Sequence, residues 1–158
     1  MNTAPAWLLR VSETLTVAIG EFELVHTLTD KPPLFNIPKT PPYCSQVILW
    51  EDKPIAVMDL EQRFLTADLT YSRAERLGAL SIIAYQSLST GDIDYGALWL
   101  DAPPKRELIS DEQQCALPQT LSAWRPYALS CFQTNAAPAV PVICLERLFA
   151  NPAYNVAH

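Results

Sequence analysis

The sequence predicts a mainly β protein, barrel-like, with a few short helices, and three observations predict it. About nine short apolar or β-branched runs follow one another, each bounded by polar or turn-forming residues. Proline is abundant and glycine scarce, 14 against 4, where average usage would give about 8 and 11. Proline blocks helix interiors, which excludes long helices from the segments that carry it. The glycine shortage leaves little material for a phosphate-binding loop. Hydrophobic residues are 49% of the chain and charged residues 18%. That is enough apolar material to bury a core, and it excludes a disordered chain. A length of 158 residues fits one domain or two small lobes.

The elements follow in order along the chain. Trp7 to Val11 and Leu15 to Gly20 are β-branched and aliphatic, and Ser12-Glu13-Thr14 between them is short enough for a hairpin. Glu21 to Leu28 reads as a turn followed by a strand. Asp30 to Pro42 carries five prolines and is loop or sheet edge, since proline cannot donate to a ladder. Val47 to Trp50, a turn over Glu51 to Pro54, and Ile55 to Met58 make a hairpin. Asp59 to Leu65 has helical spacing, with Leu60 and Phe64 on one face. Ala67 to Arg76 is polar and reads as a loop or flap.

Leu80 to Tyr85 and Ile93 to Asp101 form a second hairpin around the turn Ser87 to Asp92. Pro103-Pro104 kinks the chain, and Lys105 to Ile109 extends the sheet. Ser110 to Gln113 starts a helix that Pro118 stops. Trp124 to Phe132 and Ala139 to Cys144 read as strands joined by residues 133–138. Leu145 to Phe149 is a short helix, and residues 151–158 read as a flexible tail.

Two segments echo each other. IAVMDLEQRF (Ile55 to Phe64) and VPVICLERLF (Val140 to Phe149) align without gaps. Val57 matches Val142, Leu60 matches Leu145, Glu61 matches Glu146 and Phe64 matches Phe149. The offset is about half the chain, which favours two lobes on one plan, each with a strand running into a short helix.

Charge and cysteines narrow the function. The formal net charge is −6, and no basic cluster exceeds Lys105-Arg106, so nucleic acid is not an expected partner. No apolar run is long enough to span a bilayer, so no membrane insertion is expected. The first residues lack the pattern of a signal peptide. Cys44, Cys115, Cys131 and Cys144 contain no closely spaced pair, which argues against zinc, and they read as buried or half-buried thiols in a reducing compartment. Asp92 and Asp94 lack the rest of a calcium loop. No nucleophile motif, metal set or phosphate loop occurs, so neither catalysis nor a cofactor is expected. His158 is terminal, and His26, in an apolar stretch, reads as a partly buried structural residue. The four tryptophans read mostly as core. Trp50 borders a polar turn, which makes it either a contact residue or a half-buried hairpin residue.

TPPYCSQVILWEDKPIAVMDL (Thr40 to Leu60) resembles the central signature of the CheW-like domain. Thr40-Pro41 and Asp59-Leu60 stand at matching positions, with the apolar alternation between them. LTVAIGEFELV (Leu15 to Val25) is similar to the family's first barrel hairpin. YGALWLDAP (Tyr95 to Pro103) is similar to its later barrel segment, with Gly96, Leu98 and Asp101 in place. VPVICLERLF is similar to its C-terminal strand and helix. The resemblance implies one CheW-like domain over residues 1–158, made of two interleaved SH3-like five-stranded β-barrel subdomains. It implies a non-enzymatic cytoplasmic adaptor between a methyl-accepting chemoreceptor and a CheA-type histidine kinase, in chemotaxis or pilus-based twitching motility.

The sequence departs from the family at several positions, and the resemblance implies that one of them, the Arg-Gly position, lies on the contact surface. Gln46 stands for the usual glycine, Glu51-Asp52 for Arg-Gly, and Ala56 for proline. Replacing arginine by glutamate turns attraction to an acidic partner into repulsion, which costs several kcal/mol at close range. The contact candidates are therefore Trp50, Glu51, Asp52 and Lys53 on the hairpin tip, with Ile37 and Leu49 as apolar neighbours, facing a partner with basic residues. The second reading is a self-associating homodimer module outside a chemotaxis array. The third is an enzyme or small-ligand barrel.

Overall fold

The two sheets are built from different parts of the chain. The structure, a computed structural model, describes residues 2–28, 30, 32–64, 79–134 and 137–150. The strands are β1 (Thr3–Arg10), β2 (Thr16–Gly20), β3 (Leu24–Leu28), β4 (Phe35–Asn36), β5 (Gln46–Trp50), β6 (Lys53–Asp59), β7 (Ala79–Gln86), β8 (Ile93–Leu100), β9 (Lys105–Ser110), β10 (Ala128–Phe132) and β11 (Val140–Ile143). Helix α1 (Leu60–Phe64) follows β6, and α2 (Leu145–Phe149) follows β11. The first sheet has the order β10-β11-β2-β1-β9 and the second β3-β7-β8-β6-β5-β4. The outer stretches of the chain make the first sheet, and the middle makes the second.

Both sheets curl back toward their far sides. In the first, the chain leaves β9 through a 3-10 helix over Asp111–Gln113. Gln114 then bridges Phe132 of β10. The Cys115 N–H donates to the Cys131 carbonyl at 2.9 Å, and the Gln133 N–H to that of Gln113 at 2.8 Å. In the second sheet, His26 of β3 stacks on Trp50 of β5, with ring centroids 5.5 Å apart.

The main core lies between the sheets. Leu9, Val17 and Ile19 come from the first sheet, Met58, Ile83 and Leu98 from the second, and Leu60, Leu145 and Leu148 from the helices. A second cluster fills the curl of the second sheet with Ile48, Val57, Ile82 and Trp99. A smaller one, Ala6, Ala18 and Phe132, fills the first. Strands β7 and β8 are therefore covered on both faces. This explains why their apolar runs are continuous, since alternation marks a strand with one wet face.

The echo has a structural meaning. β6 pairs parallel with β8, and β11 pairs parallel with β2. The matched valines take equivalent partners: Val57 lies opposite Ala97, and Val142 opposite Ala18. Each copy then runs into a five-residue helix whose leucine, Leu60 or Leu145, is fully buried. Asp59 accepts the N–H groups of Glu61 and Gln62 at 3.1 and 3.3 Å, which caps α1. At the matching position before α2 stands Cys144, with no side-chain cap bond.

Several expectations need correction. The hairpin turn is only Glu51-Asp52, because β6 already begins at Lys53. Lys105–Ser110 does not extend the sheet of β7 and β8; it crosses to the first sheet and pairs with β1. The strand expected over Trp124 to Phe132 is shorter: Gln119–Tyr127 is 3-10 helical, and β10 starts at Ala128. Pro126 has no N–H to give a ladder. Trp124 turns inward instead, 1% exposed, and stacks on Phe64 at 4.0 Å. His26 is exposed rather than partly buried. The polar stretch Ala67 to Arg76 and the segment 151–158, with His158, lie outside the described residues.

Candidate functional site

The β5–β6 hairpin carries five of the six contact candidates, and its register sorts them onto two faces. Val47 lies opposite Ala56, Ile48 opposite Ile55, Leu49 opposite Pro54 and Trp50 opposite Lys53. Side chains alternate along a strand, so Ile48 and Trp50 share one face, and Val47 and Leu49 the other. Ile48 is fully buried. Trp50 packs against the same cluster while stacking on His26. It is a half-buried side chain at the mouth of the second sheet's curl.

The opposite face is apolar and open. Phe35 of β4 pairs with Val47. The Ile37 N–H then donates to the Ser45 carbonyl at 2.7 Å, which carries Ile37 along the same edge. Leu49 is 59% exposed, Phe35 49% and Ile37 37%. Pro54 and Ala56 continue this face onto β6. Phe35 was not among the residues picked from sequence, because it follows the prolines of a segment read only as connector. The signal available was a large aromatic between Leu34 and Ile37 in a proline-rich loop.

Glu51 and Asp52 form the tip. Both have positive φ, 50° and 67°. A two-residue turn with both residues left-handed is the form that matches strand twist, and Asn-Gly fits it best. A non-glycine residue there costs roughly 1–2 kcal/mol, less for aspartate than for glutamate. Both side chains and Lys53 are exposed.

From Pro54 and Ala56 the surface falls into a groove of about 500 Å³ walled by Tyr85, Leu88, Phe149 and Glu146. Asp94 also lines it. Its charged groups are thus carboxylates, like those of the hairpin tip. Beside Glu146, Glu23 accepts the Gly20 N–H at 2.7 Å. Burial, and to a smaller extent the Glu146 charge, hold the Glu23 carboxyl above its usual range, against the lowering effect of that hydrogen bond. Among the described residues no three His, Cys, Asp or Glu side chains are grouped as metal ligands would be. No described helix is long and apolar enough to cross a membrane. The arrangement offers an apolar sheet face, an acidic rim and an acidic groove.

No protein-family model and no curated protein sequence matches the chain. Solved structures do match. The scaffolding protein TtCheW from Thermoanaerobacter tengcongensis is 19% identical, with a TM-score of 0.70 over 94% of this chain and 93% of that one. The likeness is one of fold: two sheets in the CheW-like arrangement, retained at low identity.

Proposed function

We propose, on the premise of this CheW-like fold, that the protein is a non-enzymatic scaffold in chemotaxis-type signalling. It would act in the cytoplasm, holding a chemoreceptor and a CheA-type histidine kinase together, in chemotaxis or pilus-driven motility. The observation that carries this reading is the open apolar face of β4, β5 and β6 beside the acidic tip Glu51-Asp52, on a fold shared with a scaffolding protein. Leu49, Phe35 and Ile37 supply area to bury, and the carboxylates choose the partner by charge. The preferred partner presents basic side chains around an apolar patch.

Titration calorimetry with kinase and receptor fragments tests it. Leu49→Asp should weaken binding at least about tenfold, and Glu51→Arg should shift preference from basic-faced to acidic-faced partners. Tight binding to a standard CheA-type kinase, unchanged by Glu51→Arg, would sink the proposed partner choice. A concentration-dependent mass by light scattering, abolished by Leu49→Asp with no kinase or receptor binding, would favour a homodimer instead.

A further inference from the structure

Cys115 and Cys131 meet where the first sheet closes. Gln114 bridges Phe132 in antiparallel register, which sets Cys115 directly across from Cys131. The Cys115 N–H donates to the Cys131 carbonyl at 2.9 Å, so the two backbones are held together at that point. Directly opposed residues of a hydrogen-bonded antiparallel pair have Cα atoms about 5.5 Å apart, inside the range a disulfide spans. Opposed residues also project to the same side, and the Cys115 side chain lies within hydrogen-bonding reach of the Cys131 thiol. Both are free thiols, Cys131 buried and Cys115 half-buried.

We propose that Cys115 and Cys131 form a reversible disulfide under peroxide, a redox lock on the seam of the first sheet. The half-buried Cys115 is the accessible sulfur. It attacks the peroxide, breaking the O–O bond, and becomes a sulfenic acid with release of water. The Cys131 sulfur then attacks the Cys115 sulfur, a second water leaves, and the S–S bond forms. The two thiols together lose two electrons and two protons, and the peroxide is reduced to two waters. Burial, together with the neighbouring Cys115, pushes the Cys131 thiol up to about 12, which keeps it protonated and leaves the first attack to Cys115.

The bond would close a loop over residues 115–131. That loop contains the 3-10 helix Gln119–Tyr127. Its Trp124 and Tyr127 pack on Phe64 of α1. Oxidation would therefore fix the seam and the grip on the neighbouring helix together. Cys44 is buried elsewhere, and the Cys144 thiol donates to Glu146 at 3.1 Å, so these two serve as internal controls.

The test treats the reduced full chain with hydrogen peroxide and reads intact mass, peptide map and thermal midpoint. The expected result is loss of two hydrogens, a Cys115–Cys131 cross-link reversed by dithiothreitol, and a midpoint raised by roughly 5–10 °C. Cys115→Ser, at a half-buried position, should abolish the cross-link without unfolding the chain. Cys44→Ser and Cys144→Ser should leave it in place. Over-oxidised Cys115 without a cross-link, a disulfide between two copies, or pairing through Cys44 or Cys144 would each overturn the proposal.

Discussion

Gly96 sits in β8 where a side chain has no room. A methyl group there would approach the Phe149 ring to 2.6 Å. That ring is itself held, stacked on Tyr85 with centroids 5.1 Å apart. Gly96→Ala should therefore destabilise the fold by about 1–3 kcal/mol, seen as a lower midpoint in thermal denaturation. Gly96→Ala combined with Phe149→Leu should lose less than the two single changes added together, because the clash disappears. Glu23 makes a different kind of prediction. Its carboxyl is raised above the ordinary 4.5, chiefly by burial. The folded state thus keeps a proton that the unfolded chain has released, so this group's stabilising contribution is present below about pH 4.5 and is lost as pH rises through the folded value. Glu23→Gln keeps an acceptor for the Gly20 N–H and removes the charge. The variant's gain in thermal midpoint over the parent should be larger at neutral pH than at about pH 4. A gain that is the same at both would contradict this account.

The β5–β6 hairpin is an element whose turn residues work against its geometry. Replacing Glu51-Asp52 by Asn-Gly should stabilise the protein by about 1–2 kcal/mol, measured by denaturant titration, since both positions are left-handed. A turn that resists its own sequence is consistent with side chains kept for recognition rather than stability. The hairpin itself was legible from its apolar runs, as were β7, β8, α1 and α2, because each is marked by local pattern. The turn was overestimated because Lys53 and Pro54 are polar or turn-forming by type, yet both fit an exposed strand start. Trp124 to Tyr127 was misassigned for a related reason. Aromatic and aliphatic content does not distinguish a strand from a 3-10 turn whose tryptophan is swallowed by a neighbouring element. The move of β9 into the first sheet was hidden for another reason. It depends on pairing Lys105 with Leu8, and nothing near residue 105 encodes that. Of the contact candidates, Leu49 and Ile37 lie on the open face, while Trp50 points to the other. Strand alternation could have sorted these faces once the turn length was known.

At the scale of the molecule, Arg63 is the clasp between the sheets. From α1, beside the second sheet, it donates to the Leu148 carbonyl at 3.1 Å and to the Tyr127 hydroxyl at 2.9 Å. Its guanidinium also lies over the rings of Tyr43 and Tyr127, at 4.7 and 4.9 Å. A lysine keeps the charge but cannot reproduce this planar fork. Arg63→Lys should cost about 1–3 kcal/mol, read as a lower denaturation midpoint, with hydrogen-exchange protection falling most in α2 and Gln119–Tyr127. An unchanged protection pattern would show that packing alone joins the two halves.

The division of the chain between the sheets also sets an order in time. Of the described strands, β1 and β2 leave the ribosome before the others, and they pair with each other. Their other neighbours come much later: β9 pairs Ser110 with Thr3, and β11 sets Val142 beside Ala18. Meanwhile β3 to β8 emerge and can close among themselves. Doing so shortens the effective loop that β9 must close to reach β1, and lowers its entropic cost. Until then both edges of the β1–β2 hairpin stand open, which is its period of greatest exposure to pairing with another nascent chain. The β1–β2 hairpin, made before the other described strands, is enclosed only when β9 and β11 arrive.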